Sequence, residues 1–209
     1  MFPLRSTLLL VFAFLGCSLG LRAGTPKTLV FFGDSLTAGH GLDDPGTEAF
    51  PALIQKKIDA DHLPWRVVNA GLSGETSAGG LRRVDWILRQ PVDLFVLELG
   101  ANDGLRGIPP PDTEANLQAI VDHVRAKYPS ARIVLAGMQV PTNLGPVYTR
   151  AFRAIFPNLA RRDHLALIPF LLEGVGGHPD LNQADGIHPT AAGHAIVAEN
   201  VWKVLKPLL

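Results

Sequence analysis

The chemistry this chain can perform rests on one serine and one distant Asp/His pair. Ser35 stands in Gly33-Asp34-Ser35-Leu36, directly after the apolar run 28–32. Far downstream, Asp185-Gly186-Ile187-His188-Pro189 sets an acid and a base three residues apart. A serine placed where a buried strand meets a glycine turn is exposed on a rigid edge. An Asp/His pair on a separate loop is what turns such a hydroxyl into a nucleophile. The order Ser, Asp, His is one of several that build the same geometry, so order alone decides nothing. Plainer roles exist: Ser35 suits a helix N-cap, and Asp185 suits a capping residue ahead of a helix opened by Pro189. Capping by itself, however, calls for neither partner segment.

The elements that must position these residues follow from hydropathy. Short runs, apolar at their centres, at 28–32, 66–69, 94–99, 132–136 and 165–168 read as parallel strands covered on both faces. Between them, periodic patterns at 48–61, 80–89, 113–127, 147–162 and 190–205 read as helices. Pro129 closes the third, and Pro189-Thr190 opens the last, with Ala195, Ile196, Trp202 and Val204 expected to face the sheet. This alternation implies a three-layer α/β/α, flavodoxin-like domain around a five-stranded parallel sheet. Ligands of such sheets bind beyond the carboxyl ends of the strands. Gly33, Ala70-Gly71, Gly100 and Gly137 stand at those ends, and Asp185 and His188 follow the final strand.

With 209 residues, 47% of them hydrophobic, the chain is long enough for one domain with a large core. A formal charge of zero and the lack of a basic run argue against nucleic-acid binding. The N-terminus is a separate object. Arg5, the apolar stretch 8–15 and the small residues beyond it read as a secretory signal peptide over residues 1–23. Residues 24–209 would then form the mature domain. A second processing reading takes Phe14-Leu15-Gly16-Cys17 as a lipoprotein box, with a lipid anchor at Cys17. Either way the protein is expected to be exported, periplasmic or secreted in the first case and membrane-anchored in the second. Cys17 is the only cysteine, so disulfides, zinc–thiolate sites and a cysteine nucleophile fall away for a chain cleaved before Gly24.

Four segments together, Gly33-Asp34-Ser35-Leu36, Asn69-Ala70-Gly71, Gly100-Ala101-Asn102-Asp103 and Asp185-Gly186-Ile187-His188-Pro189, resemble the four blocks of the SGNH, or GDSL, hydrolase family. The longer stretches Gly33-Asp34-Ser35-Leu36-Thr37-Ala38-Gly39, Ser73-Gly74-Glu75-Thr76-Ser77 and Glu98-Leu99-Gly100-Ala101-Asn102-Asp103-Gly104-Leu105-Arg106-Gly107 are similar to its secreted bacterial arylesterase / acyl-CoA thioesterase / lysophospholipase subgroup. The resemblance implies a serine esterase acting on carboxylic esters and thioesters of broad acyl range. Ser35 would be the nucleophile, His188 the general base and then acid, and Asp185 the residue that orients the imidazole. It also implies an oxyanion hole built from the backbone N–H groups of Ser35 and Gly71 and the Asn102 amide. Gly71 equally suits a strand-end turn, and Asn102 a turn of its own. Asp34 and Asp103 are expected to support their loops.

The acyl group needs an apolar trough, for which the segments 74–81, 105–111 and 139–147 are candidates. Leu105, Val140 and Pro141 are its expected lining, Gly79-Gly80 would loosen the first segment, and the prolines 109–111 would stiffen the second. Val140 reads equally well as core. Of the remaining histidines, His40 and His178 lie nearest the proposed site in sequence, and no set has metal-ligand spacing. The expected partner is a small acyl ester or thioester, such as a lysophospholipid, met by a monomer with no cofactor and no metal. The rival readings are a carbohydrate O-acetylesterase on the same fold and a non-catalytic binding protein.

Overall fold

In the computed structural model, which describes residues 25–209, five strands form one all-parallel sheet in the order β2-β1-β3-β4-β5. The strands are β1 Lys27–Gly33, β2 Trp65–Gly71, β3 Leu94–Glu98, β4 Arg132–Ala136 and β5 Ala166–Ile168. Every residue of β3 is buried, as is β1 after Lys27, so these two carry the continuous apolar runs of strands covered on both faces. β2 lies at an edge, with only Trp65 and Ala70 buried; the Gln55 side chain accepts from its Val67 N–H at 2.6 Å.

Eight helices cover the sheet: α1 Ser35–Ala38, α2 Pro45–Glu48, α3 Phe50–Ala60, α4 Ser77–Ile87, α5 Ala101–Leu105, α6 Pro110–Lys127, α7 Gly145–Arg162 and α8 Ala191–Leu205. α3 packs with α8, while α4, α6 and α7 form a second row. Alternation along β1 divides the core. Phe31 meets Phe50 of α3 edge-on at 5.4 Å, and Phe32 lies under α4, where a side chain on Gly80 would meet its ring. This is the expected three-layer α/β/α architecture. Its sheet order reverses between β1 and β3, where the crevice of such folds opens.

The five long helices stand where periodicity places them, with two corrections. Gly79 and Gly80 lie in the first turn of α4, not in a mobile segment. Gly80 is buried there and a Cβ on it would strike Leu99, so the glycine serves close packing. The sheet-facing residues of α8 are Val197, Ala198, Val201 and Leu205. Ala195 is exposed, and Ile196, Trp202 and Val204 are only partly covered. The short helices α1, α2 and α5 went unforeseen because four or five residues carry no periodic signal. The expected signal peptide and the alternative lipoprotein box at Cys17 lie outside the described residues. Among the described residues, no helix is long and apolar enough to cross a membrane.

Candidate active site

β1 delivers Ser35 to the crevice. Asp34 is the N-cap of α1 and accepts from the Leu36 N–H at 3.0 Å, so Ser35 is the first helical residue and not the cap. Its Oγ lies 2.9 Å from His188 Nε2, and His188 Nδ1 lies 2.7 Å from Asp185 Oδ2. A carboxylate at Nδ1 holds the proton there and leaves Nε2 to accept from the serine hydroxyl. The other Asp185 oxygen accepts from the N–H groups of Ile187 at 3.0 Å and His188 at 3.1 Å. The hydrogen bonds from His188 and Ile187 hold the Asp185 carboxyl down at about 2, so it stays charged wherever His188 can act as a base.

The loop is fastened from below. Gly186 supplies the left-handed turn at φ 74°, Gln183 N–H donates to His188 O at 2.7 Å, and the Asn182 amide donates to Val175 O and His178 O.

Asn102, in α5, donates through Nδ2 to Asp34 Oδ2 at 3.1 Å, which ties the turn after β3 to the turn after β1. Two bonds and burial set the state of Asp34: burial pushes its carboxyl up to about 6, against the opposing pull of Leu36 N–H and Asn102. Asp103 accepts from Ser77 N–H at 2.8 Å and from the Ser77 and Thr113 hydroxyls, joining α4, α5 and α6. Both aspartates therefore occupy the supporting positions expected of them.

Gly71 does not. Its N–H donates to Asn69 Oδ1 at 2.9 Å, and a Cβ would strike the backbone at Ala38, so it packs behind α1 away from the serine's cavity. The glycine of this segment that lines the cavity is Gly74, three residues on, with φ 79°. No hydrogen bond of the described residues uses its N–H, and its carbonyl accepts from Arg106 Nη2 at 3.0 Å. The next residue is pinned as well: Arg83 Nε donates to both oxygens of Glu75, at 3.0 and 3.1 Å. A second glycine after Gly71, in Ser73-Gly74-Glu75, is the signal the sequence offers, but only the Asn69 contact shows which N–H is spoken for.

Ser35, His188, Asn102 and Gly74 face a cavity of about 590 Å³. Leu105, Val140 and Pro141 all line it, with Met138, Phe170 and Leu172. Val140 is only 8% exposed, so its core and lining roles coexist. Neither Gly79-Gly80 nor the prolines 109–111 reach the cavity; the prolines start α6 instead. His40 lines the cavity with its ring 4.6 Å from that of His188, whereas His178 is exposed outside the lining. His194 is buried, accepts from Phe50 N–H at 3.2 Å, and is driven down to about 4 by burial. Among the described residues, no three His, Cys, Asp or Glu side chains are grouped to hold a metal ion.

The sequence matches the GDSL-like Lipase/Acylhydrolase family over residues 31–196. It is 45% identical over 184 residues to "Esterase TesA" of Pseudomonas aeruginosa, covering 88% of this chain and 90% of that protein. It is 40% identical over 192 residues to "Thioesterase 1/protease 1/lysophospholipase L1" of Escherichia coli (strain K12), covering 91% and 89%. Among solved structures, "Crystal Structure of TesA" superposes with a TM-score of 0.82 at 45% identity, over 88% of this chain and all of that one.

Proposed function

The chain belongs to the GDSL-like lipase/acylhydrolase family, and from that membership we propose an exported serine esterase that works through Ser35, His188 and Asp185. Its substrates are carboxylic esters and thioesters of broad acyl range, lysophospholipids among them. One observation carries the reading: an unbroken hydrogen-bonded run from Asp185 through His188 to Ser35 Oγ, at the wall of an apolar cavity.

His188 takes the Ser35 proton as the hydroxyl attacks the carbonyl, and Asp185 balances the imidazolium that forms. The charge developing on the carbonyl oxygen meets the N–H groups of Ser35 and Gly74 and the free amide proton of Asn102, whose other proton is held by Asp34. His188 then protonates the leaving alcohol or thiol. Water, activated by the same imidazole, releases the acid and restores Ser35. The cavity wall formed by Leu105, Met138, Val140 and Leu172 suits an acyl chain longer than acetyl, which favours this reading over a carbohydrate O-acetylesterase. The mature domain is taken as residues 24–209, acting as a monomer.

A fluorophosphonate probe tests the assignment. The mature protein should be labelled once, at Ser35, and labelling should vanish in Ser35→Ala and fall sharply in His188→Ala. Labelling at another residue, or unchanged labelling of Ser35→Ala, removes Ser35 as the nucleophile.

A further inference from the structure

Glu98 is the last residue of β3, an otherwise apolar strand, and it is buried to 1% exposure. In the sheet register it pairs with Gly33, immediately before the nucleophile's turn. Its Oε2 accepts twice, from Asp34 N–H at 3.2 Å and from the Thr37 hydroxyl at 2.8 Å. Its Oε1 is buried with no partner. Gly33 must lack a side chain for this, because a Cβ there would collide with Glu98 Oε2 and Thr37 Oγ1. Two further bonds extend the arrangement. The Asp34 carboxyl caps Leu36 N–H through one oxygen and holds the Asn102 amide through the other.

We propose that Glu98 is a positioning residue for ester hydrolysis: its carboxyl group fastens the turn that presents Ser35 N–H to the end of β3 and, through Asp34, sets the Asn102 amide. The proposal rests on the esterase reading above. Glu98 does not line the cavity, so it acts on the reacting atoms only through Asp34 and Thr37.

The surroundings determine the form in which Glu98 does this. A carboxylate with one oxygen bare in the interior is strongly disfavoured. A second buried carboxyl, Asp34, stands beside it, with Asp103 and His188 as the titratable groups beyond. Burial, followed by the Asp34 charge, raises Glu98 well above the ordinary carboxyl range. Glu98 therefore works as a neutral acid whose accepting oxygen is the functional part. Were both groups ionised, their repulsion would push Asp34 off the Leu36 and Asn102 donors. With Glu98 neutral, the single negative charge is left to Asp34, where two donors meet it.

An acceptor without a charge can be replaced by an amide. Glu98→Gln should keep kcat within about threefold of wild type. Glu98→Ala strips the acceptor from both donors and should cut kcat by roughly ten- to a hundredfold, the scale of a small misplacement of catalytic groups. KM should stay near the wild-type value in both variants, since the cavity wall is untouched. Thr37→Val, which keeps the shape and removes one donor, should lower kcat severalfold and gives a reading even if Glu98→Ala does not fold. In the infrared difference between wild type and Glu98→Gln at neutral pH, the carbonyl stretch of a protonated carboxylic acid should appear.

The proposal is overturned by a Glu98→Gln variant as impaired as Glu98→Ala, by folded Glu98→Ala or Thr37→Val with wild-type kcat, or by an absent acid band. Fluorophosphonate labelling of wild-type Ser35, run alongside, separates these outcomes from failure of the esterase reading, which would leave wild type itself unlabelled.

Discussion

Replacing Asn102 by alanine removes two things at once, and the structure separates their effects. The first is a donor to the oxyanion. Loss of one such donor lowers kcat by about 10²–10³, or roughly 2.7–4 kcal/mol in the transition state. The second is the 3.1 Å bond to Asp34 Oδ2, whose loss leaves that carboxyl with the Leu36 backbone N–H as its one remaining donor. A hydrogen bond to a charged, buried group contributes about 2 kcal/mol, which in a domain of this size lowers Tm by roughly 4–8 °C. The two effects differ in their pH dependence. Asp34 is held at about 6 partly by Asn102, so in the variant its carboxyl moves further up. The stability difference is therefore full where Asp34 is ionised in both proteins, and it shrinks as pH falls through about 6. The loss of kcat does not shrink with it, because the missing oxyanion donor has no charge to titrate. The assay is p-nitrophenyl butyrate hydrolysis across pH, with thermal unfolding of both proteins in the same buffers. A folded Asn102→Ala with kcat within threefold of wild type would refute the oxyanion role. A Tm difference that widens toward acid would refute the account of Asp34.

Three other outcomes are expected. With chemistry rate-limiting, kcat/KM should rise from mildly acidic to mildly alkaline pH, because His188 must be neutral to accept the serine proton while Asp185, held at about 2, stays charged throughout; a flat profile between about pH 5 and 8 would remove histidine as the base. Val140→Phe should lower the octanoyl-to-butyryl ratio of kcat/KM, each methylene displaced from the cavity being worth roughly 0.8 kcal/mol at most, or about fourfold; an unchanged ratio places Val140 in the core alone. Gly80→Ala should destabilise the fold by about 1–3 kcal/mol of overpacking against Leu99, seen as a lower Tm, and leave the same acyl ratio untouched; a shifted ratio would return the start of α4 to the substrate path.

Much of this molecule is written in local patterns. The apolar runs give the strands because a buried parallel strand needs both faces covered, and the periodic stretches give the long helices. Ser35, Asp185 and His188 stand out because a strand-end serine and an Asp-x-x-His loop each have a recognisable local chemistry, whatever lies between them. The same locality explains Asp34 and Asp103, whose capping and turn-supporting habits belong to their residue type. What the sequence alone could not decide is which group is left free after folding. Gly71 and Gly74 are both small residues in one segment. Gly71 loses its N–H to the Asn69 side chain and its open side to α1, and both neighbours are set by packing. Gly79-Gly80 reads as a flexible pair until the close approach of Leu99 and Phe32 gives Gly80 a tertiary reason. Glu98 reads in the sequence as the end of the strand run 94–99 and as the head of the stretch that resembles the family subgroup, and neither gives it a task of its own. Only the folded sheet brings it under Gly33 and beside Asp34, where burial without a second partner changes what a carboxyl group can be.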